Sequence, residues 1–153
     1  MAVLRDTFIR KYTQAIREGN AGIFAGAGLS RASGYVDWKN LLRPLAKEVE
    51  LDIEKEKDLL SVAQYYRNES GTRGGINQEI LNAFNAEVSE NENVEIISRL
   101  PISTYWTTNY DKLIEKELEK KNRKADVKMD SDQLSTVLRD RDAVVYKMHG
   151  DVD

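Results

Sequence analysis

The sequence predicts an α/β protein built on a parallel sheet with flanking helices. Short runs of apolar, β-branched and aromatic residues stand far apart along the chain. Helical patterns fill the intervals between them, and only two prolines interrupt 153 residues. Parallel neighbours need long crossovers, and helices are the usual crossover, so this alternation points to that architecture.

Each element has its own signal. Leu4, Phe8, Ile9, Tyr12, Ala15 and Ile16 recur at the helical period, and Gly19-Asn20 supplies a stop. Residues 21–25 form a short apolar run, read as a buried strand, that enters Gly26-Ala27-Gly28. A helix over 38–49 carries Leu41, Leu42, Leu45 and Ala46 on one side, and another spans 55–68. Residues 68–75, rich in glycine and small polar types, give the clearest loop, and a helix follows over 76–88. Residues 93–99 predict a short helix closed by Pro101, and 102–107 a strand of β-branched and aromatic residues. Residues 111–121 read as a helix with a solvated, charged face. Strand, helix and strand are then expected at 125–129, 132–138 and 143–148.

That makes four strands, where an average sheet carries about five or six. With no repeat and no linker, residues 1–153 read as the first part of one domain that continues beyond them. Composition narrows the partners. Net charge is −3, from 23 basic against 26 acidic residues, with no basic stripe, so a nucleic-acid partner is not expected. The chain has no cysteine and one histidine, which excludes thiolate metal sites and argues against a histidine-rich metal site. No apolar run reaches the ~18 residues of a membrane span, and residues 1–12 lack a signal-peptide core. A cytoplasmic protein without metal or membrane partner is the expectation.

In open α/β sheets, ligands sit beyond the carboxyl ends of the strands. Three such ends carry polar residues: Gly26-Ala27-Gly28-Leu29-Ser30, then Thr107-Thr108-Asn109-Tyr110-Asp111, then Met148-His149-Gly150-Asp151. The first could cradle a phosphate on backbone N–H groups, with Ser30 capping the next helix or donating to an oxygen. It could equally ease a tight turn, because Arg31 stands where a dinucleotide fingerprint has its third glycine. Asn109 and Asp111 could cap the helix that follows, or Asn109 could reach back to hold a ribose or a water. Asp37 has the same capping alternative, and Tyr35 and Trp38 suit packing. His149 could be structural, although an imidazole suits taking a proton near neutral pH. Neither a G-x-S-x-G elbow nor a P-loop occurs.

Taken in order, Gly26-Ala27-Gly28-Leu29-Ser30 with Ser33-Gly34 and Asp37-Trp38, then Thr108-Asn109-Tyr110-Asp111, then His149-Gly150 resemble the sirtuin signature. Over essentially the whole chain, the likeness is to the zinc-free sirtuin-like domains of bacterial anti-phage defence, those of Thoeris effectors above all. The resemblance implies a Rossmann-like domain, sirtuin-like but without a zinc module, that takes NAD+ as substrate. It implies phosphate contacts by Gly26, Ala27, Gly28 and Ser30, and further cofactor contacts by Asp37, Thr108, Asn109 and Asp111. Asn109 matches the residue that positions the nicotinamide ribose or the attacking water, Asp111 the acid that follows it, and His149 the general base. It further implies a homo-oligomer and a regulatory nucleotide-sensing domain downstream.

Departures are informative. Protein-deacylating sirtuins have proline, arginine, glutamine and isoleucine where this chain has Val36, Lys39, Thr108 and Tyr110. They also carry a four-cysteine zinc module that helps form the peptide groove. Hydrolysis of NAD+ to nicotinamide and ADP-ribose is therefore the expected activity. Nucleotide binding without turnover and NAD-dependent lysine deacylation are the alternatives.

Overall fold

The structure is a computed structural model that describes residues 4–84 and 89–151. Four strands form one all-parallel sheet: β1 Ile23–Ala25, β2 Thr104–Thr107, β3 Ala125–Lys128 and β4 Ala143–Lys147. They lie in the order β1-β2-β4-β3. Ile23, Tyr105, Val145 and Val127 share one row across the sheet. With a side-chain period of two, that row and its alternates Ala25 and Ala143 face one core. There they meet Val94 and Ile102, together with Ile114 and Leu118 of α7 Leu113–Lys120. The neighbouring row, Phe24, Trp106 and Tyr146, lies on the other face. Trp106 stacks on Tyr146 at 4.1 Å, and Phe24 is exposed.

A second core lies among the helices, with Ile53 of an intervening turn contributing. Leu41, Leu42, Leu45 and Ala46 of α3 Trp38–Glu48 pack on Val62 and Tyr66 of α4 Leu59–Ser70 and on Ile76 and Ile80 of α5 Gly74–Phe84. Two further helices are α1 Arg5–Arg17, which ends before Gly19 at φ +72°, and α6 Glu92–Arg99. The five-residue α2 Ala27–Arg31 follows β1.

The predicted fold class stands, and the differences are at element ends. The helix predicted over 55–68 begins at Leu59, because Asp58 Oδ1 accepts from Leu60 N and Ser61 N and caps it there. It then runs on to Ser70, and Gly71, at φ +69°, ends it. The long loop predicted over 68–75 thus shrinks to a tight connection. Of the helix predicted over 76–88, residues 85–88 lie outside the described residues. The helix predicted over 132–138 is only a 3-10 turn, Asp132–Ser135. Ser135 and Thr136 donate their hydroxyls to Asp132 O and Gln133 O, a local bonding that competes with a longer helix. Among the described residues no helix is long and apolar enough to cross a membrane.

Candidate active site

The carboxyl ends of β1 and β2 are adjacent, so the polar residues after them meet. Thr108 N donates to Ala25 O at 3.2 Å, which joins the two strand ends directly. Asn109 N donates to Thr107 Oγ1 at 3.0 Å and turns the chain at the end of β2. The Asn109 amide then reaches across to the glycine turn. Its Nδ2 donates to Gly26 O at 3.0 Å and to Ser30 Oγ at 2.7 Å. A carbonyl oxygen can only accept, so Gly26 O fixes which amide atom faces it. Both N–H bonds are then used, and Oδ1 is the acceptor that Asn109 keeps for another group.

Ser30 passes its own proton onward. Its Oγ donates to Asp111 Oδ2 at 2.5 Å, while Asp111 Oδ1 accepts from Leu113 N at 3.0 Å. Ser30, Asn109 and Asp111 are all buried, at 3%, 8% and 4% exposure. A relay of this kind, with each of its side-chain donors matched to an acceptor, fixes a unique geometry in a low-dielectric interior. The capping alternatives resolve unevenly. Asn109 does not cap α7, and Ser30 does not cap α2, since both side chains are engaged in the relay. Asp111 does support the first turn of α7. Asp37 caps α3, accepting from Asn40 N at 2.9 Å.

The glycine turn behaves differently from a simple structural turn. Gly26 has φ −115° and ψ −176°, extended backbone open to any residue. A Cβ there would meet Thr108 Oγ1 at an ordinary 3.8 Å, and one at Gly28 would stand in open space. Folding alone requires glycine at neither position. The helix that follows is only five residues long, so the turn's exposed backbone rather than a helix dipole is what it offers.

Next to the relay lies a small, partly open cleft, lined by Ala27, Ser30, Thr108, Asn109 and Asp111 and walled by aromatic side chains. Trp38 packs edge-on against Tyr110 at 5.7 Å, and Phe84 lies 6.0 Å from Tyr110. Trp38 is therefore cleft wall, whereas Tyr35 is buried packing against Phe84. Burial pushes the Tyr110 hydroxyl above its ordinary pKa, with the nearby Arg73 guanidinium opposing. Burial also raises Tyr35, reinforced by the charge of Asp111. Asp37 does not line this cleft.

His149 stands on a second depression, with Arg73, Asn77, Ile80, Leu81, Tyr110 and Asp151. Tyr110 is the wall shared by the two hollows. The imidazole is exposed, at the end of β4, and Gly150 at φ +95° makes the turn just after it. Three strand ends thus share one edge of the sheet, as the motif order implies. The structure unites Ser30, Asn109 and Asp111 in one network and sets His149 beside it.

Two residues escape a reading by motif. Asn91 accepts from Asn93 N and Val94 N as the cap of α6, and its Nδ2 donates to Leu29 O at 2.7 Å and Ser33 Oγ at 2.9 Å. It thereby holds the segment after β1 in place. Lys147 is fully buried at the end of β4, a position that the sequence presents as the tail of an apolar strand. A capping pattern before 92–99 signals Asn91, whereas nothing local signals Lys147. Among the described residues, no group of three or more His, Asp or Glu side chains is arranged to hold a metal.

Residues 103–153 match the SIR2-like domain family. The chain is 58% identical over 149 residues to the "NAD(+) hydrolase ThsA" of Bacillus cereus (strain MSX-D12), covering 97% of this chain and 31% of that protein. It is 51% identical to the protein of that name from Cytobacillus dafuensis, over 100% of this chain and 31% of the relative. The Enterococcus faecium protein is 49% identical over 97% of this chain. The chain thus spans less than a third of the length of these relatives. Residues 103–153 are thus similar to SIR2-like domains, and the chain, along nearly its whole length, is similar to part of the ThsA NAD(+) hydrolases.

Proposed function

We propose that this chain supplies the NAD+-cleaving site of an NAD+ hydrolase, which yields nicotinamide and ADP-ribose. The observation that carries this reading is the Asn109 amide, locked by Gly26 O and Ser30 Oγ so that only its carbonyl oxygen is left for a ligand. That oxygen can accept from a ribose hydroxyl or from the attacking water. The C–N bond to nicotinamide breaks with its electron pair leaving to the neutral base. The ribose carbon becomes oxocarbenium-like, water adds to it, and a proton is released. The protein needs to fix geometry and offer acceptors where positive charge develops, and a preorganised relay does both. Asp111 orients Ser30 and, through it, Asn109. His149, one strand away, receives the proton. The exposed backbone at Gly26 to Gly28 takes the diphosphate, and Thr108 lines the approach.

In this reading the full protein depletes NAD+ in anti-phage defence, works as a homo-oligomer and is switched by a downstream nucleotide-sensing domain. Chromatography of NAD+ incubated with the full-length protein is the test. Release of nicotinamide that is lost in Asn109→Ala and in His149→Ala supports the assignment. Undiminished release in both variants removes it, and NAD+ binding without release leaves a nucleotide-binding module in its place.

A further inference from the structure

Lys147 has no exposed side-chain surface, yet its ammonium lies among four oxygens. Nζ donates to Tyr110 O at 3.0 Å and to Asp111 O at 2.7 Å. It pairs with Asp151 Oδ2 at 2.7 Å, and Glu115 Oε1 lies 3.3 Å away without the alignment of a hydrogen bond. Taking an ammonium out of water costs several kcal/mol, and an apolar side chain beside Val145 would avoid that cost. What the cation holds explains its presence. Tyr110 and Asp111 directly follow Asn109, and Asp151 is two residues beyond His149. One buried charge therefore ties the segment after β2 to the turn after β4.

We propose that Lys147 is a positioning residue: by clamping the Tyr110 and Asp111 carbonyls to Asp151, it fixes Asn109 and His149 relative to each other. The proposal rests on NAD+ cleavage at this site, and Lys147 itself touches no substrate. Misplacing reacting groups by about an ångström can cost roughly 10²-fold in rate. Lys147→Met keeps the length of the side chain and removes the charge.

In the full-length protein, Lys147→Met is expected to lower kcat for nicotinamide release by about 10²-fold, with KM for NAD+ moving less than about threefold. Because the substitution takes the lysine charge away from two largely buried carboxylates, Glu115 and Asp151, a companion variant, Lys147→Met with Glu115→Gln and Asp151→Asn, removes those charges too. It should recover the urea midpoint and leave kcat low. Amide hydrogen exchange in residues 109–112 and 148–151 should speed up in both variants, while β1 and β2 stay protected. Wild-type kcat in Lys147→Met, recovery of kcat in the companion variant, or unchanged exchange in those two segments would each overturn the proposal. A wild-type protein that releases no nicotinamide would instead refute the hydrolase reading, and the exchange result would still decide the role of Lys147.

Discussion

Lys147 and Lys128 sit at the carboxyl ends of neighbouring strands, β4 and β3, and both are buried, at 0% and 6% side-chain exposure. Their rows face opposite sides of the sheet. Lys128 pairs with Asp126 Oδ1 at 2.8 Å and donates to Thr136 O at 2.8 Å. Asp126 in turn accepts from Leu138 N and pairs with Arg141 at 3.2 Å. That cluster fastens residues 136–141 to the edge of the sheet and touches no candidate site residue. Lys147 fastens two site segments to each other. Equal burial and equal charge thus serve different ends, and the difference lies in which backbone each cation holds.

The strongest way to break this comparison is through activity. Asn109→Asp removes both donated hydrogen bonds of the relay, so nicotinamide release is expected to fall by about 10²–10³-fold. Lys128→Met should leave kcat within about threefold of wild type, measured in the same assay. A kcat loss in Lys128→Met as large as that in Lys147→Met would erase the distinction. Ser30→Ala leaves Asn109 one partner short but in place. It should cost about 10–100-fold, the range expected when a supporting hydrogen bond to a functional group is lost.

Stability sharpens it further. Lys128→Met leaves buried Asp126 with the Leu138 N–H and the half-exposed Arg141, and is expected to lower unfolding free energy by about 3 kcal/mol, read by urea denaturation. The smallest effects are in pH dependence, and they run in opposite directions. Burial raises the Glu115 carboxyl above its ordinary pKa, although Lys147 pulls it down. The folded state then binds more protons than the unfolded one, so this group's contribution falls as pH rises from the ordinary glutamate range through the raised value. At Asp126 burial also pushes upward, but Lys128, Leu138 N–H and Arg141 outweigh it, and the carboxyl lies below its ordinary range. Its contribution is present above the ordinary aspartate range and is lost as pH falls through the lowered value. Denaturation from about pH 3 to 7 should therefore show Glu115→Gln gaining on wild type as pH rises, and Asp126→Asn losing ground. The same sign for both would contradict the assignment.

Much of the candidate site was legible because strand ends are punctuated in the sequence. Gly26-Ala27-Gly28, Asn109 with Asp111, and His149-Gly150 each follow an apolar run, and a parallel sheet brings such ends to one edge. The capping role of Asp37 was legible as an alternative, since Asp before an amphipathic run has few other local uses. The short 3-10 turn at Asp132–Ser135 was not, because side-chain bonding by Ser135 and Thr136 overrides a helical pattern.

By itself the sequence determined the parallel α/β class, the order of the elements and the three polar strand ends, all of which rest on local period and punctuation. Only the tertiary structure decided who bonds whom. Ser30 and Asp111 are 81 residues apart, and their 2.5 Å hydrogen bond exists only because β1 lies beside β2. The ring of oxygens around Lys147 likewise draws on α7, the segment after β2 and the turn after β4. A lysine in an apolar strand reads as an interruption until the fold shows four oxygens converging on it.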